Sequence, residues 1–559
     1  MNRKHTVLTL AMAAIIQAPL LFYGVDLADT GFYMSFYEWI FKDPACVEYN
    51  FMYYLTGIVG GIWHSIWPGL LSLRVLGLLV NLCTVWVLTR IITDVRALAA
   101  SVAMVLFGLY ISPSTFNYDT LSACLTVTGL WFMIRSGKTG WKWTFVAGII
   151  MGINVFSRVS NLAGLGYVLY YLIQSFWHRH KPYKAVLWYL AGWATGVCLV
   201  LLLMLCLGHI DVFTDNLTEL LSIAGAEQGE ASHGLGNLIG AMFRTWKRIL
   251  KFSFVATVLI CLFCCIRKYV SIRSVRMVLL TILSVFLAYV MYRSSPVTVT
   301  AGIGLIGCVA VFINSKGHCL WDEALCGLLM LFIMPLGSDG GIYNTGTLAT
   351  WLPLAVAMAF FMNPVHAKRR ALVPGISFST GMAAVFCLIM IVYVVRNGVY
   401  FDDTRPTDRL KNICGQPIYT SSERQELIED LVTQLNRHIK SGDVLMVYGT
   451  GPTLNYLTHT RPWLGCSWPE QFMVSSLRQR MAAATDRPTI AILKFDTIGS
   501  EFGDPSADFA MGGDENIYHN RPKSACIYEY IESHGYTLVS DNEYLSLIHI
   551  SEPTRQEAI

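Results

Sequence analysis

The sequence predicts an α-helical polytopic membrane protein with a small α/β domain toward its C-terminal end. Three observations predict it. Of 559 residues, 54% are hydrophobic and only 14% are charged, against roughly 25% charged in soluble domains. About thirteen apolar segments recur along the first 398 residues. The basic residues between those segments fall in alternate loops.

A bilayer-spanning helix needs roughly 17 to 25 mostly apolar residues. The segments are 6–22, 70–91, 97–111, 121–134, 143–156, 162–177 and 185–207, then 252–266, 277–292, 297–313, 319–334, 349–362 and 376–395. The first follows Arg3, Lys4 and His5. No small-x-small cleavage site succeeds it, so it reads as a retained helix rather than a removed leader. Residues 32–41 and 51–67 are amphipathic and rich in Tyr, Phe and Trp. They are expected to lie flat in the membrane interface, where such rings are favoured.

Arg90, Arg96, Arg135, Lys138, Lys142, Arg179, Lys181 and Lys184 lie in alternate loops, as do Arg267, Lys268, Lys316, Lys368, Arg369 and Arg370. With Arg3 and Lys4 they define one side, expected to be the cytoplasm. Asp26, Asp29, Glu38, Asp43 and Glu48 lie on the opposite side. An odd number of spans then puts the C-terminal part outside the cell, in a multi-pass protein of the inner (plasma) membrane.

From 399 to 544 the composition turns soluble. Ser422-Glu423-Arg424-Gln425 fits a helix-capping box. Leu427, Ile428, Leu431, Leu435 and Ile439 repeat at helical spacing. Residues 444–448 and 489–495 read as buried strands, 524–533 as a helix and 537–540 as a strand. This alternation predicts an α/β domain. The final stretch, 545–559, resembles the translation of a transposon-based sequencing adapter and is expected to carry no fold. Most of the 15 cysteines sit in apolar runs as small hydrophobes; Cys414, Cys466 and Cys526 lie in the polar part, where pairing is open.

Four sites carry chemistry. Asp26-Leu27-Ala28-Asp29-Thr30-Gly31-Phe32-Tyr33 sets two carboxylates and an aromatic pair just past the first segment. Acidic clusters at a membrane surface bind cations, relay protons or activate a nucleophile; the plain alternative is a loop end with one Asp as N-cap. Asn117-Tyr118-Asp119 lies on the same side, with an N-cap again the plain reading. Arg158 interrupts an apolar stretch; at the outer surface its planar fork suits a phosphate, or it snorkels. Asp339, within Gly337-Ser338-Asp339-Gly340-Gly341, is a candidate substrate contact or part of a tight turn. Gly449-Thr450-Gly451-Pro452 lacks the third glycine of a dinucleotide fingerprint and reads as a strand-to-helix turn. No HExxH, paired CxxC or Gly-x-Ser-x-Gly motif is present, which leaves a zinc protease or esterase unsupported.

An acid after the first segment, a long amphipathic first loop, about thirteen spans, a second Asp before the fourth segment and a C-terminal soluble domain form a pattern. It resembles the GT-C-fold integral membrane glycosyltransferases, in particular the protein O-mannosyltransferase and lipid A aminoarabinose transferase group. The likeness covers most of residues 1–544. It implies a polyprenyl-phosphate-linked sugar donor and an acceptor hydroxyl on a lipid, glycan or protein. It implies Asp29 as general base with Asp26 in reserve, Asp119 orienting acceptor or donor, and Arg158 holding the lipid phosphate. Asn117, Tyr118 and Asp339 are the further expected contacts. Here the motif is Asp-x-x-Asp rather than the Asp-Glu pair of the closest relatives, so the choice of base stays open between the two aspartates. A divalent cation is the one cofactor this reading allows; nucleic acid is not an expected partner. Two other classes compete: a transporter or flippase of lipid-linked sugars, and a non-enzymatic envelope-assembly protein. The first predicts pseudo-symmetric halves with acids at the bilayer midplane.

Overall fold

The computed structural model describes residues 3–178, 183–224, 234–338, 340–512 and 519–550. Sixteen α-helices run up to Asn397: α1 Arg3–Phe22, α2 Asp29–Trp39, α3 Tyr54–Ile66, α4 Leu70–Ile91, α5 Val95–Gly108, α6 Tyr118–Thr139, α7 Trp141–Asn154 and α8 Val168–His178, then α9 Tyr183–Leu207, α10 Ile210–Ala224, α11 Leu235–Tyr269, α12 Arg273–Tyr292, α13 Pro296–Asn314, α14 Trp321–Ile333, α15 Trp351–Met362 and α16 Ile376–Asn397.

Each of the thirteen apolar segments falls on a helix, but the number long and apolar enough to cross a bilayer is seven among the described residues, not thirteen. These are α1, α4, α9, α11, α12, α13 and α16. At 1.5 Å per residue, the 22 residues of α4 rise about 33 Å, the thickness of the hydrocarbon core. Five of the other six have only 11 to 14 residues. They are cut short by 3₁₀ turns at Leu109–Ile111, Val159–Tyr167 and Gly346–Thr350. Hydropathy reads apolarity through such turns and counts the run as one span.

Helices α7 and α9 pack at backbone contact. A Cβ on Gly148 would lie 2.2 Å from the Tyr189 carbonyl oxygen, and one on Gly152 2.1 Å from that of Trp193. From the other side, Gly192 meets the Phe145 carbonyl and Gly196 that of Ile149, both at 2.2 Å. Two small-xxx-small faces thus meet, the usual way apolar helices associate where no hydrophobic force separates them from lipid. Gly152→Val is expected to cost several kcal/mol through backbone displacement. It should abolish the monodisperse peak of detergent-solubilised protein on gel filtration.

The amphipathic run at α2 does not lie in an interface. Every residue from Thr30 to Trp39 is buried. One side packs on α3, and the other meets the C-terminal domain, which covers it. A Cβ on Gly31 would come within 1.9 Å of the Thr453 nitrogen, so α2 and the turn before α18 (Thr453–Leu457) touch through bare backbone.

After Gly398 (φ 77°) the chain enters the C-terminal domain. A two-stranded antiparallel ribbon (β1 Leu410–Asn412, β2 Tyr419–Ser421) precedes α17 (Ser422–His438). The helix cap is Ser421, whose hydroxyl accepts from the Arg424 N–H at 3.2 Å; it lies one residue before the box read from the sequence. A five-stranded sheet follows in the order β4-β3-β5-β7-β6. Strands β3 (Val444–Tyr448), β4 (Arg461–Pro462) and β5 (Thr489–Leu493) are parallel. Strands β6 (Tyr536–Asp541) and β7 (Leu545–Ile550) complete it antiparallel. Helices α19 (Val474–Ala483), α20 (Ala507–Met511) and α21 (Arg521–Ser533) fill the connections.

The expectation that 545–559 carries no fold is corrected for its first six residues. Leu-Ser-Leu-Ile-His-Ile alternates as a strand does. Leu545 and Leu547 are fully buried between β5 and β6. Residues 551–559 lie outside the described residues. All 15 cysteines are free thiols, Cys414, Cys466 and Cys526 among them.

Candidate functional site

The acidic turn sits where three parts of the chain converge: the end of α1, the start of α2 and the strap leading out of α16. The C-terminal domain grips this turn through backbone. Thr453 N donates to Leu27 O at 3.0 Å and its hydroxyl to Asp26 O at 3.0 Å. Val25 N donates to Asp402 Oδ2 at 2.6 Å, and Gly24 N to Tyr419 O at 2.9 Å. Asp402 is itself held by the Thr404 N–H (2.8 Å), the Thr420 hydroxyl (2.9 Å) and Arg424 (3.6 Å). Farther out, Arg480 forks onto Glu48 at 2.8 and 3.0 Å, and His459 meets Glu38 at 3.0 Å.

The two aspartates do different work. Asp26 is 5% exposed, and its carboxylate accepts the N–H groups of Ala28 and Thr30, each at 2.8 Å. It serves as the cap for the first turn of α2. Burial pushes its carboxyl above the usual carboxylate range, against the pull of those N–H groups, the Thr30 hydroxyl and Arg74. Asp29 is half-buried, in the first turn of α2, and accepts a hydrogen bond from the Tyr400 hydroxyl. Tyr400 resists ionisation, first because it is buried and next because the Asp29 charge lies beside it.

Asn117 is the N-cap of α6, its side chain accepting from Thr120 N at 3.0 Å. Tyr118 stacks on Tyr53 (centroids 4.0 Å, planes 6° apart) and meets Tyr33 edge-on at 5.7 Å. Its phenol lies within electrostatic reach of both Asp29 and Asp119. Asp119 pairs with Arg158 at 3.2 Å. Arg158 is 6% exposed and donates also to the Met334 carbonyl. Its position in the sequence reads as an open phosphate fork, yet the fork is closed on protein groups. Asp339 lies outside the described residues. Among the described residues, no three His, Cys, Asp or Glu side chains group as a metal site would require.

Three neighbouring spaces, sharing some of their walls, adjoin these residues. A polar cleft of about 40 Å³ is lined by Arg74, Ser112–Thr115, Asn117, Asp119 and Asn344, among others. It admits a few waters but is far smaller than the several hundred Å³ of a ligand pocket. A smaller pocket shares its Leu20, Arg74, Ser112 and Ser114 walls and reaches Asp26 and Tyr400. Beyond Tyr23 and Tyr110 opens a groove of about 470 Å³ between α1, α5 and α16, walled by Phe22, Phe107, Met390, Ile391, Val394 and Leu410. Asp29, Asp119 and Arg158 do not converge on one cavity: Asp119 lines the cleft, whereas Asp29 and Arg158 line none of the three spaces, Asp29 being bonded to Tyr400 on the wall of the second.

Sequence reasoning missed Arg74. It is 2% exposed, lines both polar spaces, and donates to the carbonyls of Leu20, Tyr23 and Gly24 at 3.2, 3.3 and 2.6 Å. Its Nε, like that of Arg158, is buried with no hydrogen-bond partner among the described residues. The available signal was a lone arginine in an apolar segment on the acidic side of the chain, the same signal that drew attention to Arg158.

No protein-family model matches the chain, and no curated protein matches it.

Proposed function

We propose that the protein is a glycosyltransferase of the membrane, moving a sugar from a polyprenyl-phosphate donor to an acceptor hydroxyl on a lipid, glycan or protein at the extracytoplasmic face. The observation that carries this reading is a single line of chemistry. An apolar groove of about 470 Å³ shares its Tyr23 and Tyr110 walls with a small polar pocket lined by the buried Arg74 and by Tyr400, whose hydroxyl bonds to Asp29. In this reading the enzyme lies in the plasma membrane with its N-terminus in the cytoplasm.

The Asp29 carboxylate takes the proton from the acceptor hydroxyl as its oxygen attacks the anomeric carbon. The bond from that carbon to the phosphate oxygen breaks, and the departing polyprenyl phosphate carries the negative charge. Arg74, in a site of low dielectric, stabilises that charge. Asp119 is tied to Arg158 and acts on shape rather than on the reacting atoms. The 40 Å³ cleft must widen to take a sugar, and the Ser112–Thr115 loop on its wall is free of regular helix or strand.

The test is transfer from a synthetic polyprenyl-phosphate sugar by detergent-purified protein. Arg74→Gln is expected to raise the donor KM about tenfold, the equivalent of one charge-assisted hydrogen bond, with a smaller change in the KM for acceptor. An unchanged donor KM would remove Arg74 from the phosphate site. Absence of transfer across a panel of donor sugars would sink the glycosyltransferase reading.

A further inference from the structure

We propose that Tyr400 is a positioning residue for Asp29: its hydroxyl, delivered by the strap between the membrane helices and the C-terminal domain, fixes the Asp29 carboxylate and favours its ionised form. This deepens the reading of Asp29 as a base and rests on that reading only in one arm of the test below.

The strap is built to hold this hydroxyl in place. Tyr400 N donates to the Tyr110 carbonyl at 3.0 Å, and its ring stacks on Phe401 at 4.0 Å. On one side of Tyr400, Val399 presses on Gly24, where an added Cβ would come within 2.3 Å of its methyl group. On the other, Asp402 is bonded to Val25 N and braced by Arg424. Both flanks are thus pinned to the turn that carries the acids, and the Tyr400 hydroxyl donates to Asp29 Oδ2. Titratable groups near Asp29 include Asp26 on the same turn, Tyr33 on α2 and Tyr118 on α6. The phenols stay neutral, so they neither neutralise nor repel the carboxylate. A hydrogen bond donated to the charged form lowers a carboxyl's proton affinity, and Tyr400 supplies one.

The experiment compares the full chain with Tyr400→Phe, which keeps the ring and removes the hydroxyl. Carbodiimide labels protonated carboxyls, and labelling at Asp29, read by peptide mass spectrometry across the carboxylate range, gives its midpoint without any assay of activity. The midpoint is expected to rise by about 0.5 to 1 unit in Tyr400→Phe. In the transfer assay the acid limb of kcat/KM should move by the same amount with donor KM unchanged. Phe401→Leu loosens the strap but keeps the hydroxyl, and should leave the midpoint in place. An unmoved midpoint in Tyr400→Phe, or an equal shift in Phe401→Leu, overturns the proposal. A shifted midpoint in a chain that transfers no sugar leaves Tyr400 in its role and removes the glycosyltransferase reading instead.

Discussion

Asp29→Asn is expected to lower sugar transfer by about 10²- to 10⁴-fold, the usual contribution of a positioned general base, while the protein keeps its fold. The substitution is nearly isosteric, and an amide oxygen still accepts from Tyr400. What it removes is the capacity to take a proton. Asp26→Ala gives the opposite pattern. Asp26 accepts the N–H groups of Ala28, just before α2, and of Thr30 in its first turn, so its loss costs about 1 kcal/mol. That loss is read as a lower melting temperature with kcat largely retained. The pair of variants separates what the sequence left joined. Should Asp26→Ala abolish transfer in folded protein while Asp29→Asn spares it, the assignment reverses.

The spacing Asp26-x-x-Asp29 shows why residue type alone left the base undecided. Both are carboxylates at the same membrane level and either is a good cap. The distinction lies in the Tyr400 hydroxyl, which arrives from 371 positions away along the chain. No local pattern encodes it. The helices were legible because apolar runs dominate, as at α4 and α13; their lengths were not, because a 3₁₀ turn such as Leu109–Ile111 is itself apolar. The burial of α2 was hidden for a related reason. Its Tyr- and Phe-rich face looks interfacial until a separate domain covers it. The glycine spacings at Gly148/Gly152 and Gly192/Gly196 were a readable signal within apolar segments, and they account for the backbone contact between α7 and α9. Strands β3 and β5 emerge from continuous apolar runs as buried parallel strands do. The Gly449–Pro452 turn is indeed a strand-to-helix connection, between β3 and α18.

Arg158→Met is expected to cost about 3 to 5 kcal/mol of stability, because it leaves the Asp119 carboxylate buried without its partner. Asp119 is 8% exposed and Arg158 6%, so water screens neither. The double variant Asp119→Leu/Arg158→Met removes both charges together. It should recover most of the loss, since a buried ion pair rarely outperforms apolar groups of similar size. Thermal melting of the three variants in one detergent measures the cycle. Its sign decides what Arg158 is for. A residue kept for a lipid phosphate would lower donor affinity when replaced and leave the melting temperature nearly unchanged. The geometry argues the other way: one arm of the guanidinium is spent on Asp119 and the other on Met334 O. Arg158 thereby ties the end of α7 both to the start of α6 and to the chain just after α14. That tie holds Asn117, Tyr118 and Asp119 in register beside Asp29, which makes the ion pair a condition for the site's shape. The phosphate role then passes to Arg74 on placement alone: Arg74 lines both polar spaces and Arg158 lines neither, while each keeps a buried Nε with no hydrogen-bond partner among the described residues.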